Sequence, residues 1–400
     1  MGYRTLLPLK SLYDFRGFKP NFSVLSKREI HIDLDRTTTT GQCPVCGKKL
    51  RLVEEAYQRS IRELDVAGKQ CYLHFVQYKI CCPCGYRGIE QLEFVDKYSC
   101  YSIAFEQYVA MLCEKMSLSD VAGIVKIDWK AVKQIDKKYL AKNKIGLEYA
   151  NPTRIGVDEV AHQKGHKYLT VVRDIDAHGV IWIGEGRKKE VLDSFFEELG
   201  CEKTSKICVV TMDMWDAYIA SVKHYCPQAE IVFDKFHVVK KVNEALDKVR
   251  KQEFAKASKS KKIEMKHKRF VILKRQKNLN TKQKEDLDTI MKRNKRLYKA
   301  YLLKEQLADI LDEPDEKIAM ARLQGWMLNV KKSRLKQLRK ALKTIQNYLY
   351  GILNYFKHKI TNAASEAFNN KIGLLKRRAY GYRDLEYFKL KIINSCWRSS

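Results

Sequence analysis

The sequence predicts a multidomain α/β protein in which a cysteine-rich module and a helical module precede a mixed sheet with acidic side chains. Three observations support this prediction. The chain has 400 residues, which is more than one simple core usually holds. Two cysteine pairs lie before residue 90. Strand-like and helix-like runs then alternate from residue 154 onwards.

Residues 154–213 begin and end with a short apolar run, and each of these two runs ends at a carboxylate. The first ends at Asp158 and the second at Asp213. Between them lie strand-like runs at 167–173 and 180–184 and a helix-like run at 188–199. The order strand, strand, strand, helix, strand is the beginning of a ribonuclease-H-like fold, in which the first and fourth strands are neighbours. We therefore expect the two carboxylates side by side, where they can bind a pair of Mg²⁺ ions that act on a phosphodiester.

The formal net charge of +30 is the strongest bulk signal in the sequence. A chain this basic repels itself unless a polyanion neutralises it, and nucleic acid is the usual polyanion. A solvated surface that only repels is the alternative. The chain is 45% hydrophobic, enough to bury a core, but it lacks an apolar run of the ~18 residues that a membrane span needs. The N-terminus has no apolar signal core, so we expect a cytoplasmic protein whose twelve cysteines are reduced.

Two Cys-x-x-Cys pairs predict a zinc-binding ribbon in residues 41–98, after an N-terminal segment of residues 1–40. Cys43 and Cys46 form the first pair, Cys81 and Cys84 form the second, and a glycine follows each pair. Four thiolates at this spacing suit one tetrahedral, structural Zn²⁺. Cys82 is either a spare thiol or a ligand in a shifted register. The alternative is that one or both pairs are only small turn residues.

Residues 99–150 are predicted to form short helices. Ser117 and Asp128 are suited to cap two of them, and two short helices joined by a tight turn are typical of a helix-turn-helix. The second of these helices carries Lys130 and Lys133, which we expect to contact DNA. A plain helical packing module is the alternative.

The acidic sheet is predicted to occupy residues 151–251 and to be completed by residues 351–400. Asp234 ends a fifth strand, and together with His237 it forms an auxiliary pair near the same edge. This pair is better suited to supporting metal ligands or positioning DNA than to binding a metal directly. Residues 252–350 are dense in lysine and have amphipathic spacing, which predicts a packed helical insertion with a basic face. For individual lysines, a solvated helix surface is the alternative.

A further acidic residue, Glu366, lies early in a predicted helix, with Asn369 near the same face. The run that follows is basic and interleaved with aromatic residues, a composition suited to phosphate contacts and base stacking. An ordinary solvated basic loop is the alternative. The predicted DNA-binding residues of this run are Lys376, Arg377, Arg378, Tyr380 and Arg383.

Several strings in the chain resemble those of DDE transposases of bacterial insertion sequences. The group they resemble most is the zinc-ribbon-bearing ISL-three (ISL3) family, and the resemblance covers nearly the whole chain after residue 40. The sequence departs from the family pattern at the doubled Cys81-Cys82 and at Ala367, where the family often has glycine. The strings are Gly156-Val-Asp158-Glu159, Asp213-Met-Trp215, Phe233-Asp-Lys-Phe-His237, Glu366-x-x-Asn369-Asn-Lys371 and Lys376-Arg-Arg-Ala-Tyr-Gly-Tyr382.

The resemblance implies a ribonuclease-H-like catalytic domain interrupted by a helical insertion. It implies that Asp158, Asp213 and Glu366 are catalytic and bind two Mg²⁺ (or Mn²⁺) ions, which activate water or a 3′-hydroxyl and stabilise the leaving oxygen. The expected activity is cleavage at the ends of an insertion sequence, followed by transfer of the 3′-hydroxyl into target DNA. The expected partner is DNA, bound by a homodimer or higher oligomer in the cytoplasm, at the nucleoid.

Two other classes of function stay open on the sequence. One is a nuclease or junction resolvase of the same fold, which cuts strands without joining them. The other is a zinc-dependent DNA-binding regulator with an inactive catalytic domain. A neighbouring acid, Glu159, is not expected to be a metal ligand, because strand alternation points it to the face opposite Asp158.

Overall fold

The computed structural model describes residues 15–51, 55–143, 146–163, 165, 167–360 and 363–397, with the side chains of residues 22–25 and 363–366 excluded. The chain forms two compact units. The first contains Met1–Asn143 and Arg378–Gly381, and the second contains Lys144–Arg377 and Tyr382–Ser400. None of the helices within the described ranges is both long enough and apolar enough to cross a membrane.

The first unit begins with a predominantly antiparallel β-region. Its strands are β1 (Phe18–Leu25), β2 (Glu29–Arg36), β3 (Thr40–Gln42), β4 (Lys49–Arg51), β5 (Ala56–Val66), β6 (Lys69–Cys81) and β7 (Arg87–Ile89). The main sheet has the order β1-β2-β6-β5 with β7 paired to β6, whereas β3 and β4 form a separate hairpin. Inward residues such as Ile32, Leu73 and Phe75 alternate along β2 and β6, which is the period of a half-buried strand.

Three helices follow in the same unit: α1 (Ile103–Lys115), α2 (Leu118–Val125) and α3 (Trp129–Lys142). The Ser117 side chain accepts a hydrogen bond from the backbone N–H of Asp120 at the start of α2. Asp128 accepts one from the N–H of Lys130 at the start of α3. Both predicted caps are therefore confirmed, and the three helices share one apolar core.

The second unit is built on a five-stranded mixed sheet. Its strands are β8 (Arg154–Gln163), β9 (Lys167–Asp174), β10 (Gly179–Glu185), β11 (Val209–Met212) and β12 (Glu230–Phe233). Their order is β10-β9-β8-β11-β12, antiparallel across the first three strands and parallel from β8 to β12. This order confirms the predicted ribonuclease-H-like fold. One detail differs: β8 does not end at Asp158, because it continues to pair with β9 as far as Gln163.

Helices connect and surround these strands. In chain order they are α4 (Lys189–Leu199), α5 (Cys201–Thr204), α6 (Asp216–Tyr225), α7 (Lys235–Lys256), α8 (Lys259–Met265), α9 (Arg269–Leu273), α10 (Thr281–Lys292), α11 (Lys295–Leu311), α12 (Glu316–Lys332), α13 (Lys336–Asn347), α14 (Leu349–His358), α15 (Ala363–Arg378) and α16 (Leu385–Cys396). Residues 312–315 separate α11 from α12, and Asp315 caps α12. Apolar residues at helical spacing in α13, including Leu338, Leu342 and Ile345, are buried. The lysine-rich region is therefore a packed helical insertion, as the sequence predicts.

Both faces of the sheet are covered by helices. Val157 of β8 packs on one face in a core shared with Phe195 of α4 and Tyr218 of α6. Leu169 of β9 packs on the other face in a core shared with α15 and α16. Because successive residues of a strand alternate between faces, Asp158 points to the side of α15 and Glu159 to the side of α6.

Candidate active site and metal-binding thiols

Asp158 and Asp213 lie on neighbouring strands at matching positions. The parallel pairing of β8 with β11 places Gly156 opposite Thr211. Two residues further along each strand, Asp158 and Asp213 follow on the same face. Burial is the main cause that raises the pKa of Asp158, and the charge of Asp213 raises it further. The structure thus brings together the two carboxylates that the sequence assigns to the first and fourth strands.

The Asp158 carboxylate is held by two hydrogen bonds. Its Oδ1 accepts from the backbone N–H of Glu159 at 2.7 Å, and its Oδ2 accepts from the side-chain amide of Asn369 at 2.8 Å. Both bonds oppose the rise in pKa that burial causes, because they stabilise the charged form. Asn369 belongs to α15, so this amide also ties the last part of the chain to the first strand of the sheet.

His237 forms an ion pair with two acids at the same edge. Its Nδ1 lies 2.7 Å from Oδ1 of Asp213 and 3.4 Å from Oδ2 of Asp234. The two carboxylates, Asp213 first, raise the pKa of His237 to about 9, so the imidazole is protonated at neutral pH. Asp234 is buried and caps α7 by accepting from the N–H of Phe236. The residues predicted as an auxiliary pair therefore lie beside Asp213.

Arg173 supplies a buried cation to this acidic group. Its guanidinium lies over the ring of Phe368 at 5.5 Å, and only 4% of the residue is exposed. Burial lowers the pKa of Arg173, whereas the charges of Asp158 and Asp234 raise it. Gly156, its cross-strand partner, leaves room for the guanidinium, because a Cβ there would come within 2.6 Å of Nη2 of Arg173.

The third predicted catalytic acid, Glu366, has a backbone position in α15, one helical turn before Asn369. Its side chain lies outside the described residues. Since Asn369 contacts Asp158 directly, the backbone of Glu366 belongs to the helix that is joined to the acidic edge.

The side chains at this edge fit a divalent cation. Asp158 and Asp213 offer carboxylate oxygens, the ligands that Mg²⁺ and Mn²⁺ prefer. Oδ1 of Asp213 is enclosed and makes no well-aligned hydrogen bond, although Nδ1 of His237 is near it as an ion-pair partner. A buried carboxylate oxygen without a well-aligned donor is one that a bound cation would satisfy.

Glu159 faces the other side of the sheet, as strand alternation predicts. Its cross-strand partner Thr170 contacts the hydroxyl of Tyr218 in α6 at 2.7 Å. The Glu159 carboxylate lies 3.7 Å from Nη1 of Arg187. Burial raises the pKa of Glu159, Arg187 lowers it, and the charge of Asp213 raises it. Glu159 therefore interacts electrostatically with the acidic edge from the opposite face.

Four cysteines of the first unit converge into a thiol cluster formed by Cys43, Cys46, Cys82 and Cys84, whose sulfur atoms all lie within 4.8 Å of one another. Sγ of Cys43 is 3.7 Å from that of Cys84, and Sγ of Cys46 is 3.5 Å from that of Cys82. Four thiolates at such distances suit a tetrahedral zinc ion. Across the part of the chain that the structure describes, no other group of three or more Cys, His, Asp or Glu side chains is as compact.

The prediction of Cys81 as a zinc ligand is wrong, and Cys82 takes its place. Cys81 is the last residue of β6, where it pairs with Arg87 of β7 and is exposed. Cys82 is buried and begins the turn, in which Gly85 donates its backbone N–H to the Cys82 carbonyl. Since adjacent residues at the end of a strand point in opposite directions, only one of the doubled cysteines can face the cluster.

Replacing Cys82 with serine is expected to lower the zinc content of the purified protein from about one ion per chain to a small fraction of that, because a structural site needs all four ligands. Cys81→Ser is the matched control and is expected to retain zinc. Metal content by atomic spectrometry, with thermal unfolding followed by circular dichroism, measures both effects. Zinc loss in Cys81→Ser with retention in Cys82→Ser would contradict the register described here.

The predicted DNA-binding lysines of α3 lie in its first turns. Lys130 is exposed, whereas Lys133 is half-buried. The adjoining Trp129 is 50% exposed, which is unusual for a tryptophan at the start of a helix in a compact unit. Contact of these residues with DNA stays a prediction.

Two members of the predicted basic run have backbone partners. Nζ of Lys376 donates to the Ala161 carbonyl at 2.7 Å, and the guanidinium of Arg378 donates to the Glu114 carbonyl at 2.9 Å. The other members are exposed, and they are Arg377, Tyr380 and Arg383. Tyr380 is 99% exposed, so its ring is available for stacking. The role of the run in DNA binding stays a prediction.

Sequence reasoning missed Arg173 and Arg187. Arg173 interrupts the apolar run of β9, and an arginine inside a buried strand is a signal of a paired or functional charge. Arg187 carries no such signal, because it lies in a short polar segment before α4. Its partners Tyr168 and Trp215 come from distant parts of the sequence.

Comparisons with known proteins match the chain along most of its length. Family models match in order: a zinc-finger of transposase IS204/IS1001/IS1096/IS1165 at residues 39–84, a helix-turn-helix domain of transposase family ISL3 at residues 90–140, and an ISL3-type DDE transposase at residues 155–392. The transposase for insertion sequence element IS1001 of Bordetella parapertussis is 32% identical over 91% of this chain and 91% of its own length. The transposase for insertion sequence element IS1557 of Mycobacterium tuberculosis is 28% identical over 87% of this chain and 84% of its own length.

Proposed function

Because the chain belongs to the ISL3 family of transposases, we propose that it cleaves DNA at the ends of an insertion sequence and joins the exposed 3′-hydroxyl to target DNA. The observation that supports this most strongly is the pairing of Asp158 with Asp213 on neighbouring strands, together with the hydrogen bond from Asn369 of α15 to Asp158. That arrangement gathers residues from the first strand, the fourth strand and the last part of the chain at one sheet edge.

We infer that Asp158, Asp213 and Glu366 would hold two divalent ions, Mg²⁺ or Mn²⁺. Such ions supply Lewis acidity that activates an attacking hydroxyl and stabilises a leaving oxygen. The rest of the site orients this set. The amide of Asn369 and the N–H of Glu159 fix the direction of the Asp158 carboxylate. Burial keeps bulk water away from it, and this strengthens electrostatic interactions with a phosphodiester.

The basic side chains of the site have two roles in this proposal. The guanidinium of Arg173 offsets the repulsion among the buried carboxylates before any metal binds. Protonated His237 holds Asp213 in place through their ion pair and lies where it can contact a phosphate oxygen of the bound strand. The helix-turn-helix, with Lys130 and Lys133, would bind the DNA ends, and a homodimer or higher oligomer would hold two ends together.

A joining assay tests this proposal most specifically. A labelled duplex that ends in the terminal sequence of the insertion element is incubated with the protein, a target plasmid and Mg²⁺. We expect cleavage at the element end and joining of the labelled strand to the plasmid. A duplex whose cleaved 3′ end carries a dideoxynucleotide is expected to bind but not to join, because the attacking hydroxyl is missing.

The outcomes separate the proposed function from its alternatives. Hydrolysis without joining would indicate a nuclease or junction resolvase. DNA binding without cleavage or joining in the wild type, unchanged in Asp158→Ala, would indicate a DNA-binding regulator in which the acidic edge has no catalytic role. Loss of both cleavage and joining in Asp158→Ala, with DNA binding retained, is the result that the proposal requires.

A further inference from the structure

An arginine on the second unit is stacked between two aromatic rings beside the acidic edge. The guanidinium of Arg187 lies 4.4 Å from the ring centre of Tyr168 and 5.4 Å from that of Trp215. The indole N–H of Trp215 also donates to the Arg187 carbonyl at 3.2 Å. Arg187 is therefore held both by ring contacts to its guanidinium and by a hydrogen bond to its backbone carbonyl.

The stack is close to the proposed reaction site along the chain and in space. Trp215 follows Asp213 by two residues, at the point where β11 leads into α6. Nη1 of Arg187 lies 3.7 Å from the carboxylate of Glu159, and Glu159 in turn interacts electrostatically with Asp213. A ligand phosphate at Arg187 would therefore lie near the acidic edge, on the face of the sheet opposite Asp158.

The stack is not part of the protein core. The side chain of Arg187 is 43% exposed and Trp215 is 41% exposed. The pair with Glu159 is a single contact at 3.7 Å rather than a close bidentate pair, so most of the donors of the guanidinium point elsewhere. An exposed arginine held by two ring contacts is preorganised to bind an anion, because little side-chain freedom is lost on binding.

A basic cleft continues from the stack. Tyr168 also lines an open cleft of about 470 Å³ at the far end of β8 and β9. Lys167 and Arg383 line the same cleft and give it a positive charge. The acid in its wall, Glu185, lies 3.4 Å from Lys389 and is partly neutralised by it. Tyr168 thus belongs both to the stack and to the cleft that Lys167 and Arg383 line.

We propose that this surface, defined by Tyr168, Arg187, Trp215, Lys167 and Arg383, holds an unpaired stretch of a DNA strand next to the site of reaction. Arg187 contacts a phosphate, and the exposed ring of Trp215 stacks on a base. The backbone then follows the cleft past Lys167 and Arg383. Accessible ring faces favour an unpaired strand over a duplex, because bases within a duplex stack on one another. The inference rests on the proposed function in placing DNA at the acidic edge.

Binding of single-stranded DNA tests the inference separately from catalysis. The full chain is titrated into a labelled short oligothymidylate and into a duplex of the same length, without added Mg²⁺, and fluorescence anisotropy is measured. We expect Arg187→Ala to weaken binding of the single strand by about tenfold and binding of the duplex much less, because stacking and cation–π contacts act on unpaired bases.

Arg154→Ala is the matched control. Arg154 is also 43% exposed and also paired with one carboxylate, that of Asp176, but it lies at the other end of β8 and contacts no aromatic ring among the described residues. The Arg154→Ala variant is expected to change single-strand binding by less than about twofold, since it removes the same charge but leaves the stack intact. If Arg187→Ala unfolds at a lower temperature than this control, the Arg187→Lys variant shows whether the loss of binding comes from the missing contacts or from poorer folding. It keeps the charge but not the planar stacking, and it is expected to lose part of the single-strand binding.

Equal single-strand binding by wild type, Arg187→Ala and Arg187→Lys would overturn the inference, even if the joining assay showed an active transposase. Selective loss of single-strand binding in the Arg187 variants would support it, even if the joining assay failed and the proposed function were wrong. The two conclusions are therefore tested by different measurements.

Discussion

Asp213→Asn is expected to reduce DNA cleavage by about a thousandfold or more while leaving the protein folded. Asparagine has the shape of aspartate, but it lacks the charge needed both by a divalent ion and by protonated His237. A loss of several kcal/mol of transition-state stabilisation corresponds to a rate decrease of about this size. Single-turnover cleavage of an element-end duplex in Mg²⁺ gives the rate directly.

Asp176→Asn is the control for this prediction. Asp176 is an exposed carboxylate in the turn between β9 and β10, where it pairs with Arg154 at the start of β8. The Asp176→Asn protein is expected to cleave DNA at nearly the wild-type rate. Asp213→Asn with more than about a tenth of the wild-type rate would mean that this carboxylate is not a metal ligand, because ligand loss costs far more than one factor of ten.

Arg173→Met is expected to lower the free energy of unfolding by about 3 kcal/mol or more, because it leaves buried carboxylates without their cation. Methionine fills a similar volume, so the loss reports mainly on charge and hydrogen bonding rather than on a cavity. Asp158 and Asp234 are the acids that interact most directly with Arg173. Urea unfolding without added divalent metal measures the change. The deficit is expected to shrink in excess Mg²⁺, since a bound cation would replace part of the missing charge.

Two further variants locate the cause of this effect. Gly156→Ala keeps Arg173 but places a methyl group within 2.6 Å of Nη2, so a smaller loss of the same kind is expected. Arg154→Met removes an exposed arginine from β8, the strand of Gly156, and is expected to change the unfolding free energy by less than about 1 kcal/mol. If Arg173→Met were as stable as Arg154→Met, the electrostatic account of the buried arginine would be wrong.

The fold could be predicted because its signals are local. The strands of the second unit begin as apolar runs, and their succession with one helix before the fourth strand is typical of the fold in which the first and fourth strands are neighbours. Ser117 and Asp128 cap helices where the sequence places them, since capping depends only on the next few residues.

The errors and omissions arise where the answer depends on distant residues. The choice between Cys81 and Cys82 is decided by the pairing of β6 with β7, which fixes the direction of each side chain. A similar dependence applies to Tyr382, which belongs to the basic aromatic run but packs on Phe388 at 4.5 Å instead of offering a free ring. The roles of Arg173 and Arg187 likewise depend on partners from other strands and helices, which spacing along the chain does not indicate.

Metal rescue of cysteine variants tests whether Asp158, Asp213 and Glu366 form one divalent-metal site. Each acid is replaced by cysteine, and cleavage is measured in Mg²⁺ and in Mn²⁺. A thiolate binds Mn²⁺ far better than it binds Mg²⁺, because Mg²⁺ demands hard oxygen ligands. We expect all three variants to be inactive in Mg²⁺ and to regain cleavage in Mn²⁺, whereas Asp176→Cys is active in both. A Glu366→Cys protein that cleaves normally in Mg²⁺ would show that Glu366 is not a ligand of this site.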